Sequence, residues 1–160
     1  MADALPLAPP LADADTIENT LVTLYALISG PAGQPRDWDR FRQLFIPGAR
    51  LIPTNRAIHD GPGGHPPDVM DVEAFIRGSG PILHSMGFEE RQIAVRVERF
   101  GCVAHAWSTY ESRHAPDEEP FARGINSIQL YNDGTRWWVV TVFWDSERID
   151  NPIPAAYLPG

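Results

Sequence analysis

The sequence predicts an α+β domain in which three helices cover one face of a curled, cone-like antiparallel sheet. Apolar residues recur at three- and four-residue steps through the first half of the chain, whereas they alternate with polar residues after Gly87. A chain of 160 residues that is 43% hydrophobic can also bury a core large enough to fold without disulfides. We expect one domain over residues 15–148, preceded by a flexible arm at 1–14 and followed by an extended tail at 149–160.

Three helices are predicted before the sheet. The first starts at Thr16, with Asp15 as its N-cap and Glu18 at the capping-box position. The second starts at Asp37, and the third covers about residues 71–83. Three residues are expected to kink or split the third helix, namely Gly78, Gly80 and Pro81.

The strands are predicted from the period-two pattern and from the turn residues between them. A short strand at 49–52 precedes four longer ones. The longer strands lie near residues 91–100, 102–113, 121–131 and 136–147. A two-residue hairpin loop at 100–101 is expected to pair Val97 with Ala104.

The two faces of the second long strand differ in character. One face carries small or amphipathic side chains that leave room for a helix or a cavity, with Ser108 and Tyr110 as expected pocket residues. The other face mixes charge and aromatic surface, as a subunit interface does. Its members on the first two long strands are Arg96, Glu98, His105, Trp107, Thr109, Glu111 and Arg113. We therefore expect a homodimer formed through this face.

Composition and charge exclude several classes of function. All 13 basic residues are arginine, and 21 acidic residues give a net charge of −8, which repels nucleic acid and anionic membranes. Without lysine there is no Schiff-base chemistry. The single cysteine, Cys102, excludes an internal disulfide, and no run of about 18 apolar residues occurs. We expect a cytoplasmic protein with neither nucleic acid nor membrane as a partner.

The predicted order of two helices, a short strand, a third helix and four long strands resembles the nuclear transport factor 2-like superfamily. The likeness extends to two segments, RGINSIQLYNDGTRWWVVTVFWDSE at 123–147 and AHAWSTYESR at 104–113, which look like the last strands of SnoaL-like sequences. Within the first of them, the stretch from Ile125-Asn126 to Phe143-Trp144 is similar to bacterial ketosteroid isomerases. The likeness as a whole covers roughly residues 16–147, and it implies a cystatin-like roll with a pocket between sheet and helices. Because that superfamily includes isomerases, dehydratases, cyclases, hydrolases and pure binding domains, the resemblance leaves the reaction open.

The resemblance also implies candidate catalytic residues. Asn126 falls where ketosteroid isomerases carry an oxyanion-hole aspartic acid, and Tyr25 lies near the position of their oxyanion tyrosine. Both would polarise a ligand carbonyl as hydrogen-bond donors. Pro53 is the nearest equivalent of that family's catalytic aspartate, which argues against authentic ketosteroid isomerisation. Proton transfer would then fall to His59 or Asp60 in the adjacent loop.

The loop of the last hairpin decides which tryptophans line the pocket. A three-residue loop at 132–134 places Trp138 and Trp144 on the same face as Asn126, whereas a two-residue loop exchanges the two faces of the strand. We favour the three-residue loop, because the end of the strand then matches the isomerase-like pattern. Trp38, on the buried side of the second helix, is a further expected pocket residue.

The sequence gives no reason to expect a metal or a cofactor. His59 and His65 lie in one loop on either side of Asp60, but no third ligand stands at a recognisable spacing. No glycine-rich phosphate loop accompanies the tryptophans. We therefore expect neither a metal site nor a nucleotide cofactor.

Two functions remain open at this point. The first is a small-molecule-binding protein whose apolar pocket takes a hydrophobic or aromatic molecule, with cofactor-free isomerase, dehydratase or cyclase activity. The alternative is a non-enzymatic ligand-binding or protein-interaction domain. Pocket polarity discriminates the two, because a buried carboxylate or histidine with a perturbed pKa near Asn126 favours the enzyme.

Overall fold

The computed structural model describes residues 14–54 and 66–160 of the chain. In these ranges the helices are α1 (Ile17–Ile28), α2 (Trp38–Arg42) and α3 (Val72–Met86). The strands are β1 (Phe45–Pro53), β2 (Glu89–Phe100), β3 (Val103–Arg113), β4 (Ala122–Asn132) and β5 (Trp137–Ser146), and a 3₁₀ turn follows at Ala155–Tyr157. None of the described helices has the length and apolar character needed to cross a bilayer. The predicted loop residues His59, Asp60 and His65 lie outside the described residues.

The strands of the described ranges form one curved sheet in the spatial order β1-β5-β4-β3-β2. Strands β2 to β5 are antiparallel neighbours in sequence order, and β1 lies parallel to β5 at one edge. Helix α1 packs across the sheet against β2 and β5. We call the face turned towards the helices the inner face and the opposite one the outer face. The arrangement confirms the predicted α+β class, to which β1 adds one parallel pair.

Each helix begins at a side chain that caps its free backbone N–H groups. The Thr16 hydroxyl accepts from the Asn19 backbone N–H at 3.0 Å, so the predicted N-cap at Asp15 is wrong by one residue. Thr16 is still extended, with φ −124° and ψ 159°, which makes it the N-cap, and Asp15 accepts from the Asn19 side chain instead. Helix α2 starts after its N-cap Asp37 as predicted, and Asp71 caps α3.

Helix α3 continues through its glycines and proline without the predicted split. Gly80 is buried beneath α2, and a Cβ added there would lie 3.4 Å from the Trp38 indole ring. The small residue therefore lets the two helices approach closely. We attribute the continuity of α3 to this packing, because tertiary contacts outweigh the weak helix propensity of Gly78 and Gly80.

The hydrophobic core lies between the inner face and the helices. Ala104 and Ala106 of β3 are almost fully buried, and their small side chains leave space for larger ones from the helices. The largest fully buried side chains are Phe41, Leu21, Leu44, Ile128, Leu130 and Val139. Sheet and helices therefore contribute to one continuous core.

The hairpin between β2 and β3 differs from its prediction by one loop position. Its loop is Gly101-Cys102, and Val97 pairs with Ala106 rather than Ala104. The first loop residue has a φ of +56°, a conformation that glycine adopts without strain and Phe100 would not. The shift changes each partner by two residues, so it leaves the side chains on their predicted faces.

The hairpin between β4 and β5 contains a bulge that changes the predicted faces. Its register shifts between Gln129 and Leu130, so Trp144 and Val142 share the inner face with Asn126 whereas Trp138 does not. Placing Trp138 in the pocket is therefore wrong. A bulge inserts one unpaired residue into a strand. Neither the three-residue nor the two-residue loop considered from the sequence therefore gives the correct face for every residue of β5.

Trp138 is instead held on the outer side of the sheet. Its indole N–H donates to the Asp133 carboxylate at 2.9 Å. The Arg136 guanidinium lies over its ring, 3.7 Å from the centroid, and Trp138 is buried as a result. This cluster stabilises the turn between β4 and β5.

Part of the outer face is covered by the chain's own C-terminal residues. The Thr109 hydroxyl donates to the Tyr157 carbonyl at 2.6 Å, and the Tyr157 ring lies 5.8 Å from the ring of Trp107. The Arg96 guanidinium lies 5.2 Å from the Tyr157 ring centroid. The surface expected to join two subunits is thus partly occupied by residues of the same chain, and the homodimer stays a prediction.

Candidate functional site

A cavity of about 260 Å³ lies between the inner face of the sheet, α1 and α3. Its wall is mostly apolar, and its aromatic members are Tyr25, Phe41, Phe75, Phe88, Tyr110, Phe121 and Trp144. Its polar side chains besides the two tyrosines are Ser79, Glu90, Ser112 and Asn126. Phe121 is 48% exposed, so the cavity approaches the surface at this ring. The site suits a small apolar molecule that carries a polar group at one end.

Glu90 is the carboxylic acid among the described lining residues. It is the second residue of β2 and lies opposite Ser112 of β3. Ser29, at the end of α1, accepts a hydrogen bond from the Glu90 backbone N–H at 3.0 Å and donates one to the Tyr25 carbonyl at 2.7 Å. One serine hydroxyl therefore fixes the start of β2 against the helix that carries Tyr25.

The cavity keeps the Glu90 carboxyl protonated at neutral pH. Burial raises the pKa of Glu90 to about 8, and its hydrogen bond with Asn126 opposes part of this rise. No basic group among the described residues counters the burial. A carboxyl with a pKa close to the physiological range can both donate and remove a proton, which acid–base catalysis requires.

A chain of hydrogen bonds runs from the cavity wall into the sheet. The Asn126 amide Nδ2 donates to the Tyr25 hydroxyl at 3.0 Å, and that hydroxyl lies 2.6 Å from the Ser108 hydroxyl. Ser108 donates to the Gln92 carbonyl Oε1 at 2.8 Å. Burial and the neighbouring charge of Glu90 raise the pKa of Tyr25 far above its ordinary value, so the phenol stays neutral.

Tyr110 is the second hydroxyl on the cavity wall, and it is less firmly held. Its oxygen lies 3.4 Å from the Ser146 hydroxyl. Burial raises the pKa of Tyr110 to about 12. Gly124 faces it across β3 and β4, and a Cβ added to this glycine would collide with the Tyr110 hydroxyl. The missing side chain therefore makes the room that Tyr110 occupies.

The structure brings several of the predicted site residues together. Those that line the cavity are Tyr25, Tyr110, Asn126 and Trp144. Ser108 is fully buried directly behind Tyr25. Trp38 does not line the cavity; it packs edge-on against Phe41 and Phe75, because α2 turns its indole towards α3. The predicted bases His59 and Asp60 lie outside the described residues.

Glu90 was missed because a second bulge hides it in the sequence. Val95 and Val97 lie on the inner-face positions opposite Ser108 and Ala106, and strict alternation from them would place Glu90 on the outer face. The register shifts between Gln92 and Ala94, which returns Gln92 and Glu90 to the inner face. The signal in the sequence was a pair of polar residues at the start of a strand, and it did not identify the face.

Metal ligands do not cluster in the described part of the chain. No group of three or more His, Cys, Asp or Glu side chains in residues 14–54 and 66–160 could hold a metal ion. His105 hydrogen-bonds Ser127 at 2.8 Å on the outer face, and the His114 ring stacks on Phe121 at 4.2 Å.

No protein-family model matches the sequence, and no curated protein matches it. Several solved structures are similar to the chain. A cystatin-like fold protein of unknown function from Nostoc punctiforme aligns with a TM-score of 0.63 and 10% identity, over 83% of this chain and 90% of that one. A proposed scytalone dehydratase from Novosphingobium aromaticivorans aligns with a TM-score of 0.58 and 11% identity, over 89% of each chain.

A third solved structure carries the name of the superfamily. An NTF2-like protein of unknown function from Methylobacillus flagellatus aligns with a TM-score of 0.51 and 9% identity, over 83% of this chain and 95% of that one. Identities this low show the fold and leave the reaction and the ligand open. The resemblance predicted from the sequence is thus confirmed at the level of architecture, and the chain has the cystatin-like fold of the nuclear transport factor 2-like proteins.

Proposed function

We propose that this protein is an acid–base enzyme that moves a proton within a small, largely apolar carbonyl compound without a cofactor. One observation carries the proposal: Glu90, a carboxyl with a pKa of about 8, faces the same apolar cavity as Tyr25, Tyr110 and Asn126. A purely structural acid would be paired with a basic side chain or lie in solvent. An apolar site that retains an unpaired acid is typical of an active centre.

Glu90 would act first as the base. The ionised carboxylate removes a proton from the carbon next to the ligand carbonyl, and the electrons of the broken C–H bond move towards the carbonyl oxygen. A hydroxyl donor must then stabilise that oxygen as its charge develops. Tyr110 suits this role, because its contact with Ser146 is long and its pKa keeps it protonated.

Glu90 would then return the proton as the acid. Delivery to another carbon of the ligand gives an isomer. Delivery to a β-hydroxyl group breaks its C–O bond and releases water, with a C=C bond formed in the ligand. In both cases the carboxyl ends in its starting state, so one group is sufficient. Dehydration is also the reaction in the name of the Novosphingobium aromaticivorans structure, with which this chain shares its fold.

The aromatic wall favours a ring-bearing ligand. Phe75 and Phe88 lie with Trp144 around the cavity, and these flat surfaces would pack against an aromatic or alicyclic ligand. No arginine lines the cavity among the described residues, so a carboxylate or phosphate group on the ligand would have no counter-ion. A neutral ring system with one carbonyl fits both features.

The step common to both reactions can be tested with 2-tetralone, a neutral bicyclic ketone. We expect the protein to accelerate exchange of its α-protons for deuterium in D₂O, followed by proton NMR, with a rate that rises with pH and levels off above about pH 8. Glu90→Gln should lower the enzymatic rate by about 10²-fold or more, because it removes the base. Glu98→Gln, on an exposed part of the same strand, is the matched control and should exchange like wild type.

Two results would count against the enzyme. Exchange in Glu90→Gln at the wild-type rate would show that Glu90 is not the base. Saturable binding of 2-tetralone with exchange no faster than in buffer would favour the alternative, a non-enzymatic ligand-binding domain.

A further inference from the structure

We propose that Gln92, which does not line the cavity, sets the direction in which the Tyr25 hydroxyl proton points and so acts as a positioning residue for the site. The hydrogen-bond chain from Asn126 to Gln92 carries this inference. Its effect on catalysis rests on the proposed function, whereas the proton direction itself does not.

The direction follows from counting protons along the chain. A carbonyl oxygen only accepts, so the bond to Gln92 Oε1 uses the single hydroxyl proton of Ser108. The 2.6 Å contact between the two hydroxyls must then use the proton of Tyr25. The bond from the Asn126 amide occupies one acceptor position on the Tyr25 oxygen. Tyr25 therefore offers the cavity a lone pair and no proton.

Rotating the Gln92 amide by 180° would reverse the two hydrogen bonds that join Gln92 to Ser108 and Ser108 to Tyr25. Its NH₂ group would donate to Ser108, Ser108 would donate to Tyr25, and the Tyr25 proton would be free to point into the cavity. Ser108 is fully buried, so solvent cannot replace the missing acceptor beside it. The identity of the atom that Gln92 presents to Ser108 thus decides whether Tyr25 accepts from a ligand or donates to it.

The pKa of Glu90 reports the direction in which the Tyr25 hydroxyl proton points. The titratable groups that face this carboxyl are Tyr25 from α1 and Tyr110 from β3, and its hydrogen-bond partner is Asn126 from β4. A Tyr25 proton turned into the cavity would stabilise the Glu90 carboxylate and lower the pKa of Glu90. The direction inferred from the hydrogen bonds of Ser108 and Asn126 withholds that stabilisation.

The test compares three variants by carboxyl ¹³C NMR titration of Glu90 in protein labelled at glutamate. Gln92→Met removes the acceptor at similar size, so Ser108 can give its proton to Tyr25, and the pKa of Glu90 should fall by about one unit. Ser108→Ala removes the acceptor of the Tyr25 proton directly and should give the same fall. Gln92→Glu keeps an acceptor in place, so the pKa should stay at the wild-type value or rise.

The pattern separates this role from a merely structural one. Disturbed packing would shift the pKa of Glu90 in the same direction in all three variants. A change in proton direction lowers this pKa in Gln92→Met and Ser108→Ala but does not lower it in Gln92→Glu. An unchanged pKa in both Gln92→Met and Ser108→Ala, or a fall in Gln92→Glu equal to theirs, overturns the proposal. Because the titration requires no turnover, failure of 2-tetralone exchange would reject the proposed function without touching this result.

Discussion

Arg36 and Glu90 are two ionisable side chains of the same domain, and they differ in how far hydrogen bonds stabilise their charges. Arg36 is 9% exposed, and its guanidinium donates to five backbone carbonyls. These carbonyls belong to Ile28, Gly30, Pro31, Gln34 and Leu83. Glu90 faces an apolar cavity, and its carboxyl has one side-chain hydrogen-bond partner among the described residues, the Asn126 amide.

The difference separates a structural charge from a functional one. A buried charge is costly unless hydrogen bonds replace its hydration. Arg36 receives that replacement in full, and in return it ties the loop after α1 to α3. Glu90 does not, so it becomes neutral by holding its proton. Incomplete partnering is destabilising, and it leaves the carboxyl free to react.

The largest effect is expected when the complete set of partners around Arg36 is broken. Arg36→Met should lower the free energy of unfolding by about 3–5 kcal/mol, because several buried carbonyls lose their donor at once. Urea denaturation followed by circular dichroism measures this. Arg77→Met, at an exposed position of α3, is the matched control and should change stability by less than about 0.5 kcal/mol. A loss of stability in Arg36→Met as small as that in Arg77→Met would mean that the backbone carbonyls find other donors.

The second effect has the opposite sign and depends on pH. The folded protein holds the Glu90 proton up to about pH 8, whereas an unfolded glutamate releases it near 4.5. Between these values the folded state binds the extra proton, so rising pH lowers the free energy of unfolding. Glu90→Gln removes this titration. We expect the variant to be more stable than wild type by about 3–5 kcal/mol at pH 9 and nearly equal to it at pH 4.

Urea denaturation at pH 4, 7 and 9 tests this expectation. Glu98→Gln is again the control, because its carboxyl is exposed and should follow wild type at each pH. Parallel stability profiles of wild type and Glu90→Gln would show that the carboxyl ionises as readily in the folded protein as in the unfolded chain.

The sequence predicted what local chemistry determines. Helix periodicity and capping residues such as Asp37 act within a few positions, so the starts of the three helices were found with errors of about one residue. In the β2–β3 hairpin the turn glycine shifted the pairing register by two residues, and each side chain stayed on its predicted face of the sheet. Tyr25 and Asn126 were brought together through the resemblance, and the structure places them 3.0 Å apart.

What the sequence could not predict depends on two bulges. The bulge in β2 returns Glu90 to the inner face, and the bulge between β4 and β5 removes Trp138 from it. A bulge changes side-chain parity from one point of a strand onwards, and tertiary packing decides where it forms. Strict alternation therefore gives no sign that Glu90 lies on the inner face, and along the last strand it placed a tryptophan in the pocket.

A smaller effect should come from filling the space around the site without changing its charge. At Gly124 an added Cβ would collide with the Asp145 backbone carbonyl and the Tyr110 hydroxyl. Gly124→Ala should therefore lower stability by about 1–3 kcal/mol and displace Tyr110. In contrast, Gly78→Ala in α3 meets no atom within 4 Å and should stabilise the protein by about 0.5–1 kcal/mol. Thermal denaturation of both variants checks the contrast, which equal melting temperatures would contradict.

The smallest change removes Asn126, the side-chain hydrogen-bond partner of the Glu90 carboxyl among the described residues. The hydrogen bond with Asn126 lowers the pKa of Glu90 against the effect of burial. Asn126→Leu should therefore raise that pKa further, by about one unit, because the carboxylate loses its donor in an apolar site. Carboxyl NMR titration measures the shift, with Gln129→Leu on the exposed outer side of β4 as the control. A pKa of Glu90 that stays at about 8 would mean that burial alone sets it. Arg36 would then differ from Glu90 because its charge is stabilised by hydrogen bonds, whereas no hydrogen bond stabilises the Glu90 carboxylate.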